Sequence, residues 1–356
     1  MTAKLLHQFT EGIYSGDAVS DHAFLLQKWL HEMGFESNIY ALKIDPELKE
    51  RVLPVETYQH SQKERFVLYH HAVGSEIAEL LQKLKLPQIL VYHNITPAKF
   101  YENSDPVLGI QLRKGREQLE QMRDRTVLAL AVSHYNELEL QSLGYRNTGV
   151  LPITLDQSQY DITTNEELAS QFSRAQPTML FVGRVAPNKK IEDLIELLYY
   201  YRRLEPETKL ILVGSVKNEV YVNWLTELAK SLGLRDDAVI FTGHVSQKDM
   251  ITYYRSADLF VSMSEHEGFG KPLIESMYLD LPVLAYASSA VPSTLGKAGI
   301  LFHDKNHESL AELVDLIIKD KTLRQRVIER QQKRVQDFLE PNVKQLWSFY
   351  VDMSNL

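Results

Sequence analysis

The chain has no cysteine among its 356 residues. That excludes disulfides, thiolate nucleophiles and cysteine-ligated metal. It also lacks any run of roughly 18 apolar residues, the length a membrane-crossing helix requires. The apolar stretch in MTAKLLHQFTEG is too short for a secretory signal. The expected compartment is the cytoplasm, with peripheral contact at the inner face of a membrane left open. Basic residues are in deficit: 39 Lys and Arg stand against 47 Asp and Glu, a formal net charge of −8. No nucleic-acid partner is expected from that balance, although a local basic cleft for a phosphorylated ligand remains compatible with it. Several chemical signatures are missing too. There is no G-x-x-x-x-G-K-[ST] for a nucleoside triphosphate, no G-x-G-x-x-G for a dinucleotide, and no H-E-x-x-H for zinc. The pair His70–His71 is therefore not read as a metal site. Asp236–Asp237 precedes a strand rather than following one and is read as a solvated turn.

What is present is an ordinary globular composition, 44% hydrophobic and 24% charged. The length suggests two domains, each able to bury its own core. Short apolar runs alternate with longer amphipathic ones. KLLHQFT (4–10), RFVLYHH (65–71), QILVYHN (88–94) and VLALAVS (127–133) read as strands; 23–34 and 75–85 read as helices. The polar, turn-rich stretch 156–177 reads as the connection between domains. The alternation then restarts with strands at 178–185, 209–215, 238–245, 258–264, 281–288 and 299–304, separated by helices. The end of the chain reads as helical. Strands alternating with helices predict a parallel sheet covered on both faces. The fold class is thus α/β, with two tandem Rossmann-like doubly wound domains facing each other across a cleft. The expected domains are 1–157 plus 339–356, and 158–338. Ligands of such sheets gather beyond the carboxyl ends of the strands, which directs attention to the residues that follow each strand.

The segment SMSEHEGFGKPLIESM (262–277) follows one such strand. Gly268 and Gly270 remove bulk where backbone could approach a ligand. Pro272 suits the first position of a helix, with Glu275 in its first turn. Amides around Gly270, Lys271 and Leu273 at this helix start suit a phosphate or diphosphate. Two carboxylates, Glu267 and Glu275, beside an anion site make sense as acceptors for neutral hydroxyls. The plain alternative is a helix start with Glu275 favourable to the dipole. In FVGRVAPNKK (181–190), Gly183 ends a strand, and Arg184 and Lys189 offer two cations for a diphosphate. Gly16 follows the first strand. Gly214–Ser215 and Gly243–Val245 end two others and suit the nucleoside. His93 and His70–His71 sit at strand ends.

In this order the pieces resemble the retaining glycosyltransferases of family 4, which have the GT-B fold. Glu267 through Glu275, with the Gly-Phe-Gly of 268–270 and Pro272 between them, is similar to that family's glutamate-x7-glutamate motif. FVGRVAPNKK is similar to its strand-Gly-Arg loop with a lysine five residues on. The resemblance is strong over most of 176–303 and extends to the N-terminal half only in outline. It implies a metal-independent hexosyl transfer from a nucleotide diphosphate sugar, linked to UDP, GDP or ADP, to a sugar or lipid-linked acceptor hydroxyl. The anomeric configuration would be retained and no cofactor used. Polysaccharide, lipopolysaccharide or glycolipid assembly is the implied setting. Arg184, Lys189, Glu267 and His93 would be the catalytic set. Arg184 and Lys189 neutralise the diphosphate, Glu267 binds the donor sugar, and His93 lies near that sugar. Gly16, Gly183, Gly214, Val245, Gly268, Phe269, Gly270, Lys271, Leu273 and Glu275 would bind the donor, with Glu275 on the ribose. The C-terminal helix would cross back to the N-terminal domain. The chain departs from the pattern at Ser15-Gly16, where a double glycine is usual, at Pro292-Ser293, where Pro-Glu is usual, and at LPITLD, which lacks Asn-Gly. The alternatives are an epimerase or phosphorylase-like enzyme on the same plan, or a degenerate ligand-binding protein.

Overall fold

A computed structural model of the chain describes residues 4–172, 176–216 and 218–353. The chain divides into two compact units. One comprises Met1–Glu102, Pro106–Thr154 and Glu340–Leu356; the other comprises Asn103–Asp105 and Leu155–Leu339.

The first unit is built on an eight-stranded sheet whose described pairings are all parallel. Its strands are β1 (Lys4–Ile13), β2 (Phe35–Glu36), β3 (Ile39–Ile44), β4 (Leu53–Pro54), β5 (Glu64–His71), β6 (Gln88–Tyr92), β7 (Thr126–Ala131) and β8 (Thr148–Val150). They run in the order β4-β3-β1-β5-β6-β7-β8, with β2 beside β1. The long strands are largely buried because helices cover both faces of the parallel sheet, but polar residues such as Gln8 on β1 and His70 and His71 on β5 interrupt their apolar runs. The helices are α1 (Ala18–Glu32), α2 (Glu76–Leu84), α3 (Pro106–Met122) and α4 (His134–Ser142). Asp17, Ser75 and Ser133 cap α1, α2 and α4 through side-chain oxygens that accept from helix amides. The C-terminal helix, Glu340–Met353, packs into this unit's core: Trp347 is fully buried in a cluster with Leu26, Trp29 and Leu30. The Trp29 indole N–H donates to the Glu340 carboxylate at 2.9 Å. Residues 354–356 of the sequence-read final helix lie outside the described residues.

The second unit holds a six-stranded parallel sheet. Its strands are β9 (Thr178–Val182), β10 (Lys209–Val213), β11 (Val239–Gly243), β12 (Leu259–Ser262), β13 (Val283–Tyr286) and β14 (Ile300–Phe302). They run in the order β11-β10-β9-β12-β13-β14. The helices are α5 (Glu166–Ala169), α6 (Ile191–Tyr201), α7 (Glu219–Ser231), α8 (Gln247–Ser256), α9 (Lys271–Tyr278), α10 (Val291–Leu295), α11 (His307–Lys319) and α12 (Lys321–Val335). The chain leaves β9 toward β10 on one side and β12 toward β13 on the other. The gap between β9 and β12 is therefore the point where the winding reverses, the usual ligand position in open α/β sheets.

The stretch read as an inter-domain connection is docked on the second unit. Asn165 accepts from the Leu168 amide, its own N–H donates to Thr252 Oγ1 at 2.8 Å, and its side-chain amide donates to Asp249 at 2.8 Å. Arg255 of α8 donates to the carbonyls of Tyr160 and Ile162. Thr252, Asp249 and Arg255 lie 84 to 95 residues downstream of the groups they bond, so local polarity gave no sign of them. Residues 173–175 of that stretch lie outside the described residues.

Candidate active site

Three loops meet at the carboxyl end of the second sheet. The loop after β9 is held against the loop after β10. Gly183 N–H donates to the Val213 carbonyl at 2.8 Å and Val185 N–H to the Ser215 carbonyl at 3.1 Å. Gly214, with φ +145°, makes this approach possible: a Cβ there would lie 2.1 Å from the Gly183 carbonyl oxygen. Only glycine serves at such a position. Gly214 N–H in turn donates to the Gly243 carbonyl, and Val245 is half-buried just beyond.

Across the reversal point, the loop after β9 is stitched to the loop after β12. The buried Asn188 is the hub. Its side-chain amide donates to the His266 carbonyl at 3.0 Å, and its own carbonyl accepts from the Glu265 amide at 2.9 Å. These bonds bring Lys189 and Glu267 together. The Lys189 ammonium lies 2.6 Å from Glu267 Oε1, with both side chains 15% exposed. Arg184, on the same loop, is exposed and makes no hydrogen bond or ion pair among the described residues. The Glu267 loop is fixed from its other side as well. Glu267 N–H donates to Ser289 Oγ at 2.7 Å, and Thr294 Oγ1 donates to the Phe269 carbonyl at 2.6 Å. Asn188, Ser289 and Thr294 carry no motif of their own, and their roles follow only from sheet order.

The helix start differs from expectation in three respects. Lys271 is the first residue of α9 and Pro272 the second, so Glu275 falls in the second turn. Gly270 is the cap, at φ +87°. The Leu273 amide is already donated to the Gly270 carbonyl at 2.9 Å, so Leu273 adds no free donor to an anion cradle. Phe269 is an anchor: its ring is buried and packs edge-on against Phe338 at 5.6 Å. Gly268 lies half-buried between Glu267 and this anchor.

Glu275 is 4% exposed. Its two oxygens accept from two phenols, Tyr160 at 2.6 Å and Tyr254 at 2.6 Å. The Lys271 ammonium lies 3.9 Å away. Burial, with the Glu275 carboxylate beside it, pushes the Tyr254 phenol well above its ordinary value, so it remains a donor. A carboxylate offers about four lone-pair sites, so each oxygen keeps room for a further donor.

In the first unit, Gly16 has φ +72° in the turn that joins β1 to α1, with open space where a Cβ would sit. His93 follows β6 and is 9% exposed. Its Nε2 lies 3.0 Å from Nδ1 of His70. His71 points elsewhere, bonded to the Gly115 carbonyl at 2.9 Å and the Tyr69 hydroxyl at 3.1 Å. It is a structural residue. Asp236 and Asp237 lie in an exposed turn, where Asp237 pairs with Arg235 at 3.1 Å.

The chain also has relatives among known proteins. Residues 164–334 match the family described as glycosyl transferases group 1. Over 177 residues, 49% of the chain, it is 27% identical to the capsular polysaccharide biosynthesis glycosyltransferase CapM of Staphylococcus aureus. Over 126 residues, 34% of the chain, it is 36% identical to mannosylfructose-phosphate synthase of Agrobacterium fabrum. These matches take in 45% and 28% of the two relatives' own lengths, so the chain spans less than half of each. A solved structure of HepE from Anabaena in complex with UDP and glucose covers 98% of this chain, and the match takes in 100% of that structure's chain, with a TM-score of 0.77 and 17% identity. That likeness is one of fold: two Rossmann-like α/β units in tandem. The group 1 segment contains Arg184, Lys189, Glu267 and Glu275. Among the described residues, no helix is long and apolar enough to cross a membrane.

Proposed function

We propose that the protein is a retaining, metal-independent glycosyltransferase. It moves a hexose from a nucleotide diphosphate sugar to an acceptor hydroxyl during polysaccharide, lipopolysaccharide or glycolipid assembly. One observation carries this reading. At the reversal point of the second sheet, an exposed Arg184, without a partner among the described residues, shares its loop with a Lys189–Glu267 pair, inside the group 1 segment. The names of the relatives agree with it: CapM is named for capsular polysaccharide biosynthesis, and the HepE structure holds UDP and glucose.

The chemistry follows from charge. As the bond between the sugar's anomeric carbon and the phosphate oxygen breaks, the leaving diphosphate gains negative charge. Fixed cations stabilise that state more than the bound ground state. Arg184 supplies a forked guanidinium for the phosphate oxygens. Lys189 supplies a point charge by exchanging its bond to Glu267 for one to phosphate. That exchange releases the Glu267 carboxylate to accept from sugar hydroxyls. The acceptor oxygen attacks from the face that the phosphate leaves, and its proton passes to a departing phosphate oxygen, so the configuration is retained. Glu275, held by two phenols, accepts from the ribose hydroxyls through its remaining lone pairs. The loops around Gly183, Gly214 and Val245 frame the nucleoside. With two cations present, the reaction needs no metal.

A thermal-shift screen against UDP, GDP and ADP and their common sugar conjugates, run in EDTA, tests this. Binding to the native state alone raises the melting temperature. A rise with one nucleotide family, and sugar transfer that persists in EDTA, are expected. No rise with any of them, or strict dependence on Mg²⁺ or Mn²⁺, would overturn the reading.

A further inference from the structure

The first unit buries three histidines at the carboxyl ends of its central strands. His22 is on α1, His70 on β5, and His93 follows β6; they are 1%, 1% and 9% exposed. The His70 and His93 rings stack with centroids 5.3 Å apart, and the His22 ring meets His93 edge-on at 5.3 Å. Burial pushes the His22 imidazole down to about 4. Burial, reinforced by neighbouring imidazoles, holds His70 and His93 well below the usual histidine range. All three are therefore neutral near pH 7, and each ring carries one hydrogen.

A neutral imidazole has one donor and one acceptor, so the hydrogens are set by what stands at the end of the chain of bonds. That end is Gln8 on β1, fully buried. Its side-chain nitrogen faces Ser37 Oγ at 3.5 Å, and its Oε1 faces His70 Nε2 at 2.8 Å. A carbonyl oxygen only accepts, so His70 carries its hydrogen on Nε2. Its Nδ1 is then a bare lone pair and accepts from His93 Nε2 at 3.0 Å. His93 in turn has a bare Nδ1. Among the described residues that atom is buried with no hydrogen-bond partner, which costs free energy unless a water or a ligand satisfies it.

The loop carrying His93 is fixed around it. Asn94 adopts φ +76° and donates to Asn136 at 2.8 Å. Ile95 N–H donates to the Tyr92 hydroxyl at 3.2 Å, and Arg116 donates to the Ile95 carbonyl at 2.5 Å. A ring this well supported, with one orphaned acceptor, is built to receive a hydrogen.

We propose that Gln8 and His70 are positioning residues that fix His93 as the Nε2–H tautomer, which makes its Nδ1 a dedicated acceptor for a hydroxyl of the sugar substrate. The identity of that hydroxyl rests on the glycosyltransferase reading; the tautomer does not. His93 on this account donates no proton in the reaction. It selects for a hydroxyl at its position and against a substituent that lacks a hydrogen to give.

Nitrogen-15 NMR of the full-length protein labelled at histidine reads the tautomer directly, with His93 assigned by a His93→Gln variant. The wild type should show His93 as a single Nε2–H tautomer. Gln8→Leu and His70→Phe should each mix the two tautomers and lower kcat/KM for the donor about three- to tenfold, the worth of one hydrogen bond. Hydrogen on Nδ1 in the wild type would overturn the proposal without recourse to any variant. So would an unchanged His93 tautomer in either folded variant. A tautomer shift in a protein that transfers no sugar would uphold the relay and overturn only the transferase reading.

Discussion

Replacing Arg184 by alanine should cut turnover at least about tenfold while leaving the melting temperature within experimental scatter. The two halves of this expectation have separate causes. Arg184 is exposed and has no partner among the described residues. Its loss therefore removes no packing and no ion pair, and such surface changes stay within about 0.5 kcal/mol. What it does remove, on the proposed function, is a cation aimed at charge that grows only as the leaving group departs. Loss of one such group typically costs a factor of ten or more, about 1.4 kcal/mol of barrier per tenfold. Lys189→Ala should slow turnover to a similar degree, but at some cost in stability. It leaves Glu267, 15% exposed, without its partner 2.6 Å away. Steady-state kinetics and melting curves on both variants check this. Wild-type rates in both would remove the diphosphate from this loop.

Glu275→Ala should destabilise the second unit by about 3 kcal/mol. The carboxylate accepts from Tyr160 and Tyr254, each 1% exposed. Removing it leaves two buried hydroxyls unsatisfied at roughly 1–3 kcal/mol each, and a small cavity besides. Since Tyr160 belongs to the stretch that enters the second unit, that segment should loosen as well. Glu275→Gln keeps the volume and an acceptor oxygen, so it should lose much less stability. Chemical denaturation monitored by tyrosine fluorescence measures both. An alanine variant as stable as the wild type would mean that the carboxylate does not hold the phenols. A glutamine variant that is stable but binds the nucleotide weakly would assign Glu275 to the ribose as well as to the core.

Most of the longer strands were readable because parallel, doubly covered strands are mainly apolar runs. VLALA and KLILV leave little choice. β3, IYALKI, and β8, three residues long, were missed; the first carries an exposed lysine and the second is too short to show a pattern. The mixed-charge segment 111–125 reads, from its residues alone, as a solvated helix face; most of it lies in α3. That helix buries Gly109, Gly115 and Gln118 beside Leu112, Leu119 and Met122, so half its inward stripe looks polar. A Cβ on Gly115 would lie 2.6 Å from the Gly74 nitrogen, which shows how closely that face packs. α4 was missed as well, and its only buried residues are Asn136 and Leu140.

The candidate site was legible to a different depth. Arg184, Lys189, Glu267 and Glu275 stood out because glycines and proline set them at fixed spacing beyond strand ends. Their pairing did not, because spacing along the chain cannot say that Lys189 bonds Glu267 or that Glu275 faces two tyrosines. Nor could His93 be tied to Gln8, 85 residues earlier in the chain. That chain of bonds exists only because β1, β5 and β6 are neighbours in the sheet.

Hydrogen exchange tests the central claim most directly. Backbone amides would be followed with and without the nucleoside diphosphate that gives the largest thermal shift, in EDTA. Slowed exchange concentrated in residues 183–190 and 264–275 is the predicted result. A rise in melting temperature with unchanged exchange in both segments would place the nucleotide elsewhere and contradict the account.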